Sequence, residues 1–349
     1  MANILTTGGS GFIGSHTCLV LLNAGFNVVI IDSFLNSSED VINKLSKLSN
    51  IKNLKGSHRL KVYKGDIRDF STLELIFKEA EDENNPINSV IHFAALKAVG
   101  ESNEIPLHYW DVNVTGTLNI LKVMERFNCN NFVFSSSAAV YGGGNNNPNE
   151  DSITNPANPY GETKLAVENI LKSLYLSSPN KWKIAVLRYF NPIGAHESGL
   201  LGENPKIEAS NIFPHICRVA LGKKKFLNIY GNDWPTYDGT GVRDYIHVMD
   251  LADGHVEAMR YLICNEPQII NLNLGTGIGT SVLELINAFE QANSIKIPYK
   301  VSPRRKGDVA SLVANNKLAK TKLNWHPKRD LNTMCIDSWN WHSKNLSIS

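Results

Sequence analysis

The sequence predicts an α/β fold in which a doubly wound parallel sheet is followed by a smaller C-terminal α/β lobe that binds substrate. In the first half of the 349-residue chain, short runs rich in β-branched residues alternate with longer amphipathic runs. Such alternation is typical of βαβ units, whose strands run parallel. From residue 191 onward, Gly, Pro and Asn become more frequent and the helical runs become shorter.

The candidate elements follow one another along the chain. Strands are predicted at 3–7, 26–31, 60–64, 89–93, 131–135 and 183–188. Long helices are predicted between them at 12–24, 71–81, 106–127 and 159–176, and shorter ones at 211–221, 248–262, 282–292, 317–323 and 331–341. We therefore expect a first domain over 1–190, with returning segments near 244–275, and a second lobe over 191–349.

Composition disfavours several classes of function. The formal net charge is only +2, which disfavours a nucleic-acid binder. The chain begins without a basic region followed by an apolar core, and its most apolar early stretch is interrupted by Asn and Gly, so neither an export signal nor a membrane span is expected. The five cysteines are scattered and contain no C-x-x-C pair, which indicates reduced thiols in a cytoplasmic protein.

A glycine-rich segment directly follows the first predicted strand. Gly9, Gly11 and Gly14 satisfy G-x-G-x-x-G, while Gly8, Gly11 and Gly14 satisfy G-x-x-G-x-x-G. Glycine permits a tight turn and a close approach of the backbone, and the next helix offers free N–H groups to a pyrophosphate. The position between a strand and a helix predicts a Rossmann-type dinucleotide site, the alternative being a turn that binds nothing.

A carboxylate ends the second predicted strand. Asp32 lies eighteen residues after Gly14, where it can accept hydrogen bonds from the adenosine ribose hydroxyls. It would repel a 2′-phosphate, and it is followed by Ser33 rather than by Arg, so the sequence predicts NAD rather than NADP. A helix cap or turn is the alternative role of Asp32. Asp66, after the third strand, is a candidate for the adenine side and is equally consistent with a turn aspartate.

Tyr160 and Lys164 are four residues apart and would share one face of a helix. A phenol has a pKa near 10 and is a poor base at neutral pH. A neighbouring ammonium and a positively charged nicotinamide favour the phenolate. Ser137, after the strand at 131–135, could bond the same substrate hydroxyl. A Y-x-x-x-K pattern alone arises often by chance. When it follows a strand that ends in serines, within a dinucleotide-binding fold, it indicates a site for proton transfer.

These features resemble the extended short-chain dehydrogenase/reductase family, and in particular its members that act on C4 of UDP-hexoses. Three further blocks carry the resemblance: HFAALKAVGES at 92–102, LRYFNP at 187–192 and DGTGVRDYIHV at 238–248. It extends from Ile4 to about Trp341. The resemblance implies a Rossmann fold, a cytoplasmic homodimer, a UDP-hexose substrate and a place in galactose and carbohydrate metabolism. No metal is expected.

The resemblance also implies an isomerase that interconverts UDP-glucose and UDP-galactose. Tyr160 would take the proton of the sugar 4-hydroxyl, Ser137 would orient that hydroxyl, and Lys164 would also hold the nicotinamide ribose. NAD⁺ would take hydride from C4, the 4-keto sugar would rotate, and hydride would return to its opposite face. NAD would therefore stay tightly bound and be regenerated in each turnover.

The resemblance also implies which residues of this chain bind NAD and which bind the UDP-sugar. Those assigned to NAD are Gly8, Gly11, Phe12, Ile13, Gly14, Asp32, Asn36, Ser37, Asp66, Ile67, Phe93, Ala94, Ala95, Lys97, Asn113, Ser135, Tyr160, Lys164 and Tyr189. Those assigned to the UDP-sugar are Lys97, Ser137, Tyr160, Phe190, Asn191, Asn211, Ile212, Tyr230, Arg243, Tyr245, Arg305, Asp308 and Leu312. The arginines suit two anionic phosphates, because guanidinium pairs with them in a bidentate way. Tyr230 would stack near uracil, and Asp308 would bind the ribose hydroxyls.

Leu312 occupies the position that the family uses as a size gate. Tyrosine there is associated with plain hexoses, whereas cysteine or serine also admits N-acetyl sugars, and leucine is intermediate. Acceptance of UDP-N-acetylglucosamine and UDP-N-acetylgalactosamine therefore stays open, as does simple packing of Leu312 against the lobe.

The sequence disfavours three rival functions. A sugar-nucleotide 4,6-dehydratase needs an acid pair after the strand, but Ala138 and Ala139 follow Ser137. A 4-epimerase acting on UDP-glucuronate is disfavoured by the UDP-hexose blocks. A non-catalytic NAD sensor would have no need of Tyr160 and Lys164.

Overall fold

A parallel sheet of seven strands forms the centre of the structure, a computed structural model that describes residues 2–51, 59–143, 145–204, 206, 211–305 and 307–345. Along the chain the strands are β1 (Asn3–Thr7), β2 (Asn27–Asp32), β3 (Leu60–Lys64), β4 (Ile87–His92), β5 (Asn131–Ser137), β6 (Lys183–Tyr189), β7 (Asn191–Ile193), β8 (Leu227–Tyr230), β9 (Val242–Arg243), β10 (Tyr245–His247), β11 (Gln268–Leu274), β12 (Thr280–Ser281), β13 (Tyr299–Ser302) and β14 (Ser311–Leu312). The order across the central sheet is β11-β6-β5-β4-β1-β2-β3, with every neighbouring pair parallel. The order reverses between β1 and β4, and the carboxyl ends of strands at such a point border a crevice suited to a ligand.

Helices cover both faces of this sheet. They are α1 (Phe12–Asn23), α2 (Asp40–Leu48), α3 (Phe70–Asp82), α4 (Val99–Glu104), α5 (Pro106–Trp110), α6 (Gly116–Arg126), α7 (Pro159–Ser177), α8 (Ile212–Ala220), α9 (Val248–Cys264), α10 (Val282–Asn293), α11 (Lys317–Leu323) and α12 (Leu331–Asn345). A π-helical turn, Asp111–Thr115, joins α5 to α6, and a 3-10 turn, Ala138–Tyr141, follows β5.

Two apolar layers hold the helices against the sheet. Side chains alternate along each strand, so Ile4 of β1 enters one buried cluster and Leu5 enters the other. The first cluster includes residues of α1 and α9, and the second includes residues of α3, α6 and α7. Burial on both faces explains why the strands read as nearly continuous apolar runs.

The C-terminal half builds a separate apolar cluster. Phe213 of α8, Leu227 of β8, Phe289 of α10 and Met334 of α12 are buried together. Short sheets accompany it, in the orders β12-β9-β14, β13-β8 and β10-β7. β11 nevertheless lies in the central sheet beside β6, so the chain returns to this sheet after residue 191.

The predicted fold class is confirmed, and each of the six predicted strands is present with ends shifted by at most two residues. The prediction of one regular helix over 106–127 is wrong, because the π-helical turn interrupts it. The strands β7 to β14 and the helices α2 and α4 were not predicted as elements. None of the five cysteines forms a disulfide, and no helix among the described residues is long and apolar enough to cross a membrane.

Candidate active site

A cavity of about 590 Å³ lies at the carboxyl ends of the central strands. Its wall contains the loops that follow β1, β2, β3 and β4, together with the start of α7 and residues 200–204. Every residue assigned to the cofactor lines it except Asn113. Of the residues assigned to the UDP-sugar, only Lys97, Tyr160 and Asn211 do so.

The glycine-rich loop closes one side of the cavity. Gly8 has φ +68°, and a Cβ there would lie 2.8 Å from the backbone nitrogen of Ala94. A Cβ on Gly14 would lie 2.3 Å from the carbonyl oxygen of Gly8, so α1 packs on the loop only with glycine there. Gly11 caps α1 without a side chain, which leaves the first-turn N–H groups to face a ligand.

Asp32 joins this loop to the next one. Its Oδ2 accepts from the Ser10 backbone N–H at 2.9 Å, and its Oδ1 accepts from the Phe34 N–H at 2.9 Å and from the Ser37 hydroxyl at 3.0 Å. The carboxylate also lines the cavity. It therefore fixes both loops, as a turn aspartate does, while it remains at the edge where a ribose would lie.

Asp66 forms the rim beyond β3. Arg68 donates to it through Nε at 3.1 Å and through Nη2 at 2.7 Å, and also reaches Asp111 Oδ2 at 2.7 Å. The Arg68 guanidinium holds the pKa of the Asp66 carboxyl below its ordinary value. Arg68 lines the cavity and was not predicted as a site residue.

Tyr160 and Lys164 project from the first turns of α7. The helix begins here because Pro159 occupies its first turn and the Asn158 side chain accepts from the Gly161 N–H at 3.0 Å. The Lys164 Nζ donates to the Ser135 carbonyl oxygen at 2.7 Å and lies 4.9 Å from the centre of the Phe134 ring. The ammonium is thereby aimed at the end of β5.

Burial shifts the acidity of both groups. It lowers the pKa of Lys164 to about 7, while the neighbouring Glu168 carboxylate acts in the opposite direction. It also raises the pKa of Tyr160 above 10, and the hydrogen bond from Ser137 opposes that shift. The Ser137 oxygen already accepts from the Ala139 N–H at 3.2 Å, so its proton is available to the phenol.

Asn113 lies beside the cavity rather than in its wall. Its amide accepts from the Leu96 N–H at 2.8 Å and donates to the Leu96 carbonyl at 3.1 Å and to the Thr163 hydroxyl at 3.0 Å. This residue of the π-helical turn therefore ties the loop after β4 to α7. Asn113 thereby positions Lys97 and Lys164 indirectly, because these lysines directly follow Leu96 and Thr163, the two residues to which its amide is hydrogen-bonded.

Lys97 and Asn211 meet at a shared carboxylate. Lys97 Nζ lies 3.3 Å from Glu203 Oε1, and Asn211 Nδ2 donates to the same oxygen at 3.3 Å. Glu203 was not predicted, because no motif marks a carboxylate in that loop. The contact closes one side of the cavity between the first and second halves of the chain.

A second group of predicted residues lies outside the cavity wall. The Arg305 guanidinium stacks 4.7 Å from the centre of the Tyr230 ring and pairs with Asp308 through Nε at 2.9 Å. Burial lowers the pKa of Arg243, while Asp308 raises it and Arg305 lowers it. Burial also raises the pKa of Tyr245 to about 12, against the charges of both arginines. Two cations beside one carboxylate make this group suited to an anion.

An apolar patch lies between the two groups. Phe190, Ala138 and Val140 are buried together, and Leu312 packs against them. Leu312 is also paired with Arg243 across β14 and β9. Asn191 begins β7, where its N–H donates to the Asp244 carbonyl at 2.9 Å, and Ile212 begins α8 against the C-terminal cluster. Leu312 therefore packs mainly against residues of the first domain, next to those that follow Ser137, and it pairs within its own lobe through Arg243.

Comparisons with known proteins place this site in a family. A family model described as GDP-mannose 4,6 dehydratase matches residues 5–338. A UDP-glucose 4-epimerase of Bacillus subtilis (strain 168) is 47% identical over 345 residues, which cover 99% of this chain and 98% of the relative. The chain belongs to the UDP-glucose 4-epimerase family. The resemblance to the extended short-chain dehydrogenases/reductases is thereby confirmed.

Solved UDP-glucose 4-epimerase structures have the same fold. The enzyme from Stenotrophomonas maltophila, crystallised with NAD and formylated UDP-arabinopyranose, superposes with a TM-score of 0.93 at 42% identity and full coverage of both chains. The enzyme from Bifidobacterium longum, crystallised with NAD⁺ and UDP, superposes with a TM-score of 0.92 at 44% identity and 99% coverage of both chains.

The residues that follow β5 bear on whether the site suits epimerisation or the elimination of water. The matching family model is described by a dehydratase, and water elimination needs an acid near the reacting carbon. Ala138 and Ala139, in the 3-10 turn after Ser137, carry no proton donor. The residues that follow β5 therefore favour epimerisation over elimination in this member of the family.

Proposed function

We propose that this protein interconverts UDP-glucose and UDP-galactose by oxidation and reduction at C4, using NAD that it retains between turnovers. The observation that carries the proposal is the position of Tyr160 and Lys164 in the wall of the cavity that the glycine-rich loop closes. A dinucleotide site alone would serve many functions. A half-buried phenol beside an ammonium and a serine adds a means of moving a proton.

The cavity fits NAD on three features of this chain. Gly8 and Gly14 let the loop pack closely against Ala94 and against the start of α1, where any Cβ would clash with backbone atoms. Ser10 belongs to the cavity wall, and its buried hydroxyl has no hydrogen-bond partner among the described residues, which leaves it available to a phosphate oxygen. Asp32 stands at the ribose edge and repels a 2′-phosphate. When bound, NAD supplies the acceptor and donor of the hydride.

The chain's own residues handle the proton. Tyr160 takes the proton of the sugar 4-hydroxyl as the C4 hydride leaves, and it returns a proton to the C4 oxygen when hydride comes back. Ser137 donates to the phenol oxygen and so stabilises the phenolate. Lys164, on α7, supplies positive charge nearby, and its Nζ is held by the Ser135 carbonyl near the end of β5. Lowering a phenol's pKa toward neutrality is the requirement for base catalysis at pH 7.

The second group of residues holds the nucleotide away from the reacting carbon. Arg243 and Arg305 carry the charge for a diphosphate, and Tyr230 and Asp308 offer a ring face and a ribose acceptor. Because the substrate is anchored through its UDP group, the 4-keto sugar stays free to rotate within the site. We accordingly propose that 1–190, with returning segments near 244–275, binds NAD, and that 191–349 binds mainly the UDP-sugar.

Leu312 is proposed as the size limit for the sugar. It lies beside Phe190 and Ala138 and across from Arg243, so it borders both the reacting end and the phosphate end. Family membership also supports a cytoplasmic homodimer that serves galactose metabolism. Exposed apolar side chains near α5 and on α7 (Ile105, Leu107 and Leu176) offer a surface for a second copy.

A direct assay tests the proposal. The purified protein is given UDP-galactose and UDP-N-acetylgalactosamine in parallel, without added NAD, beside a Tyr160→Phe control of equal cofactor content. We expect UDP-glucose from the first substrate and none from the control. Conversion of the second substrate as well would show that Leu312 admits an N-acetyl group. No conversion of either, even with NAD supplied, would reject the proposed function.

A further inference from the structure

We infer that His255 is a positioning residue, which keeps the hydroxyl proton of Tyr189 directed away from the reacting groups and so reserves the role of base for Tyr160. The inference deepens the proposed function and rests on it. Two phenols, Tyr160 and Tyr189, line the same cavity. Nothing in their chemistry alone decides which of them accepts the substrate proton.

The side chains of Tyr189 and His255 are in direct contact. Tyr189 ends β6, and its hydroxyl is hydrogen-bonded to Nε2 of His255, which lies on α9. Their ring centres are 5.0 Å apart, and His255 is 0% exposed. The imidazole also packs 4.8 Å from the Phe93 ring, in the loop after β4 that lines the cavity. His255 thus lies directly behind the cavity wall.

The tautomer of His255 follows from its other contact. Nδ1 lies 2.8 Å from the Leu251 carbonyl oxygen, which can only accept a hydrogen bond, so Nδ1 carries a proton. Burial lowers the pKa of His255 to about 4, and the ring is therefore neutral near pH 7. Nε2 then has no proton and can only accept. The Tyr189 hydroxyl must be the donor in this pair.

The direction of the Tyr189–His255 hydrogen bond decides how Ser135 can interact with Tyr189. The Ser135 side chain lowers the pKa of Tyr189, which is the effect of a hydroxyl directed toward the phenol oxygen. Because the only proton of the phenol is directed to His255, Ser135 must donate to Tyr189. The carbonyl oxygen of the same Ser135 accepts from Lys164 Nζ at 2.7 Å. Ser135 therefore lies beside both groups: its carbonyl oxygen binds the Lys164 ammonium, and its side chain faces Tyr189, whose proton is directed to His255.

These contacts distinguish the two phenols. Tyr189 keeps its proton on the side of α9, and burial raises its pKa well above 10. Tyr160 has Ser137 as a donor and Lys164 nearby. Without an acceptor at position 255, the Tyr189 proton could turn toward Ser135 and the cavity, where it would compete with the donors that stabilise the Tyr160 phenolate.

The test compares His255→Gln with His255→Phe. The glutamine carbonyl can still accept from Tyr189, whereas the phenylalanine ring keeps much of the volume and accepts nothing. We expect His255→Phe to lower kcat for UDP-galactose by roughly 10-fold to 100-fold, as loss of positioning does. KM and cofactor content should stay within about twofold, and His255→Gln should recover most of kcat.

The double variant His255→Phe/Tyr189→Phe separates positioning from simple packing. If His255 acts through the Tyr189 proton, the double variant is no slower than Tyr189→Phe alone. Additive losses, or equal losses in His255→Gln and His255→Phe, would overturn the inference. Thermal unfolding of each variant shows whether a loss comes from destabilisation.

A measurement independent of turnover keeps the two proposals apart. Nitrogen-15 NMR of histidine-labelled protein, with the signal assigned by its absence in His255→Gln, reports which ring nitrogen carries the proton. We expect an unprotonated Nε2 near pH 7 whose signal shifts in Tyr189→Phe. A protonated Nε2 would overturn the inference about His255, whatever the activity. An inactive wild type with the expected NMR signal would instead reject the proposed function.

Discussion

Lys164→Met should make the protein more stable and a much slower catalyst at the same time. Lys164 is only 4% exposed, and burial brings its pKa from an ordinary value of 10.5 to about 7. Each unit of such a shift corresponds to about 1.4 kcal/mol. At pH 7 the buried amine therefore costs the folded state about 4 kcal/mol relative to the unfolded chain. Methionine is nearly as long and carries no charge.

The gain is smaller than this figure, because the substitution also removes a hydrogen bond. The Ser135 carbonyl loses its donor at 2.7 Å, and an unpaired buried acceptor costs about 2 kcal/mol. We therefore expect Lys164→Met to raise the free energy of unfolding by about 2 kcal/mol at pH 7. Its kcat should fall by at least about 10²-fold, the scale of a lost acid–base group.

The pH dependence of this difference has a defined sign. Above pH 7 the folded amine of Lys164 is largely neutral, whereas the unfolded amine stays protonated up to about pH 10.5. The unfolded state then binds more protons, so the stability of the wild type rises with pH and that of the variant does not share this rise. The advantage of the variant should shrink by about 1.4 kcal/mol per pH unit and vanish near pH 8–9.

Urea unfolding at pH 7, 8 and 9, with NAD content matched between the two proteins, measures these differences. A variant less stable than the wild type at pH 7 would refute the reasoning. So would an advantage that stays constant from pH 7 to 9, because the cost would then not come from the buried amine.

Three further substitutions test other parts of the site. Tyr160→Phe should lower kcat by about 10²-fold to 10⁴-fold with NAD still bound, and retained turnover would exclude this phenol as the base. Gly14→Ala, whose Cβ would lie 2.3 Å from the Gly8 carbonyl, should purify with little NAD, which the absorbance of the released cofactor measures. Glu168→Gln leaves the buried Arg188 charge without its partner, so urea unfolding should show a loss of about 3–5 kcal/mol, and an unchanged midpoint would contradict this.

The central sheet could be predicted because its strands are local signals. Five of the six predicted strands are short, largely apolar runs, β3 (LKVYK) is an alternating one, and all six are present. β11 was not predicted as a strand, because Asn271 and Asn273 interrupt the apolar residues of QIINLNL and its partner β6 lies 85 residues earlier in the chain. Long-range pairing of that kind leaves no periodic mark in one sequence.

The residues of the site likewise fall into those that local sequence spacing predicts and those that only tertiary packing brings to the cavity. The glycine loop, Asp32 and the Tyr160/Lys164 pair could be predicted because spacing along one strand or helix places them. Glu203 and Trp341 reach the cavity only through tertiary packing, for example where a Cβ on Gly202 would lie 2.4 Å from the Trp341 ring. His255 carries no motif, and only its contact with Tyr189 indicates a role.

The most direct test of the proposed reaction follows the hydrogen at C4. UDP-galactose deuterated at C4 is converted by the purified protein in ordinary water without added NAD, and the UDP-glucose formed is analysed by mass spectrometry and proton NMR. If the hydride leaves C4 and returns to it within one active site, the product keeps its deuterium at C4. Loss of deuterium to water would contradict the proposed mechanism, because inversion would then proceed by proton exchange at carbon.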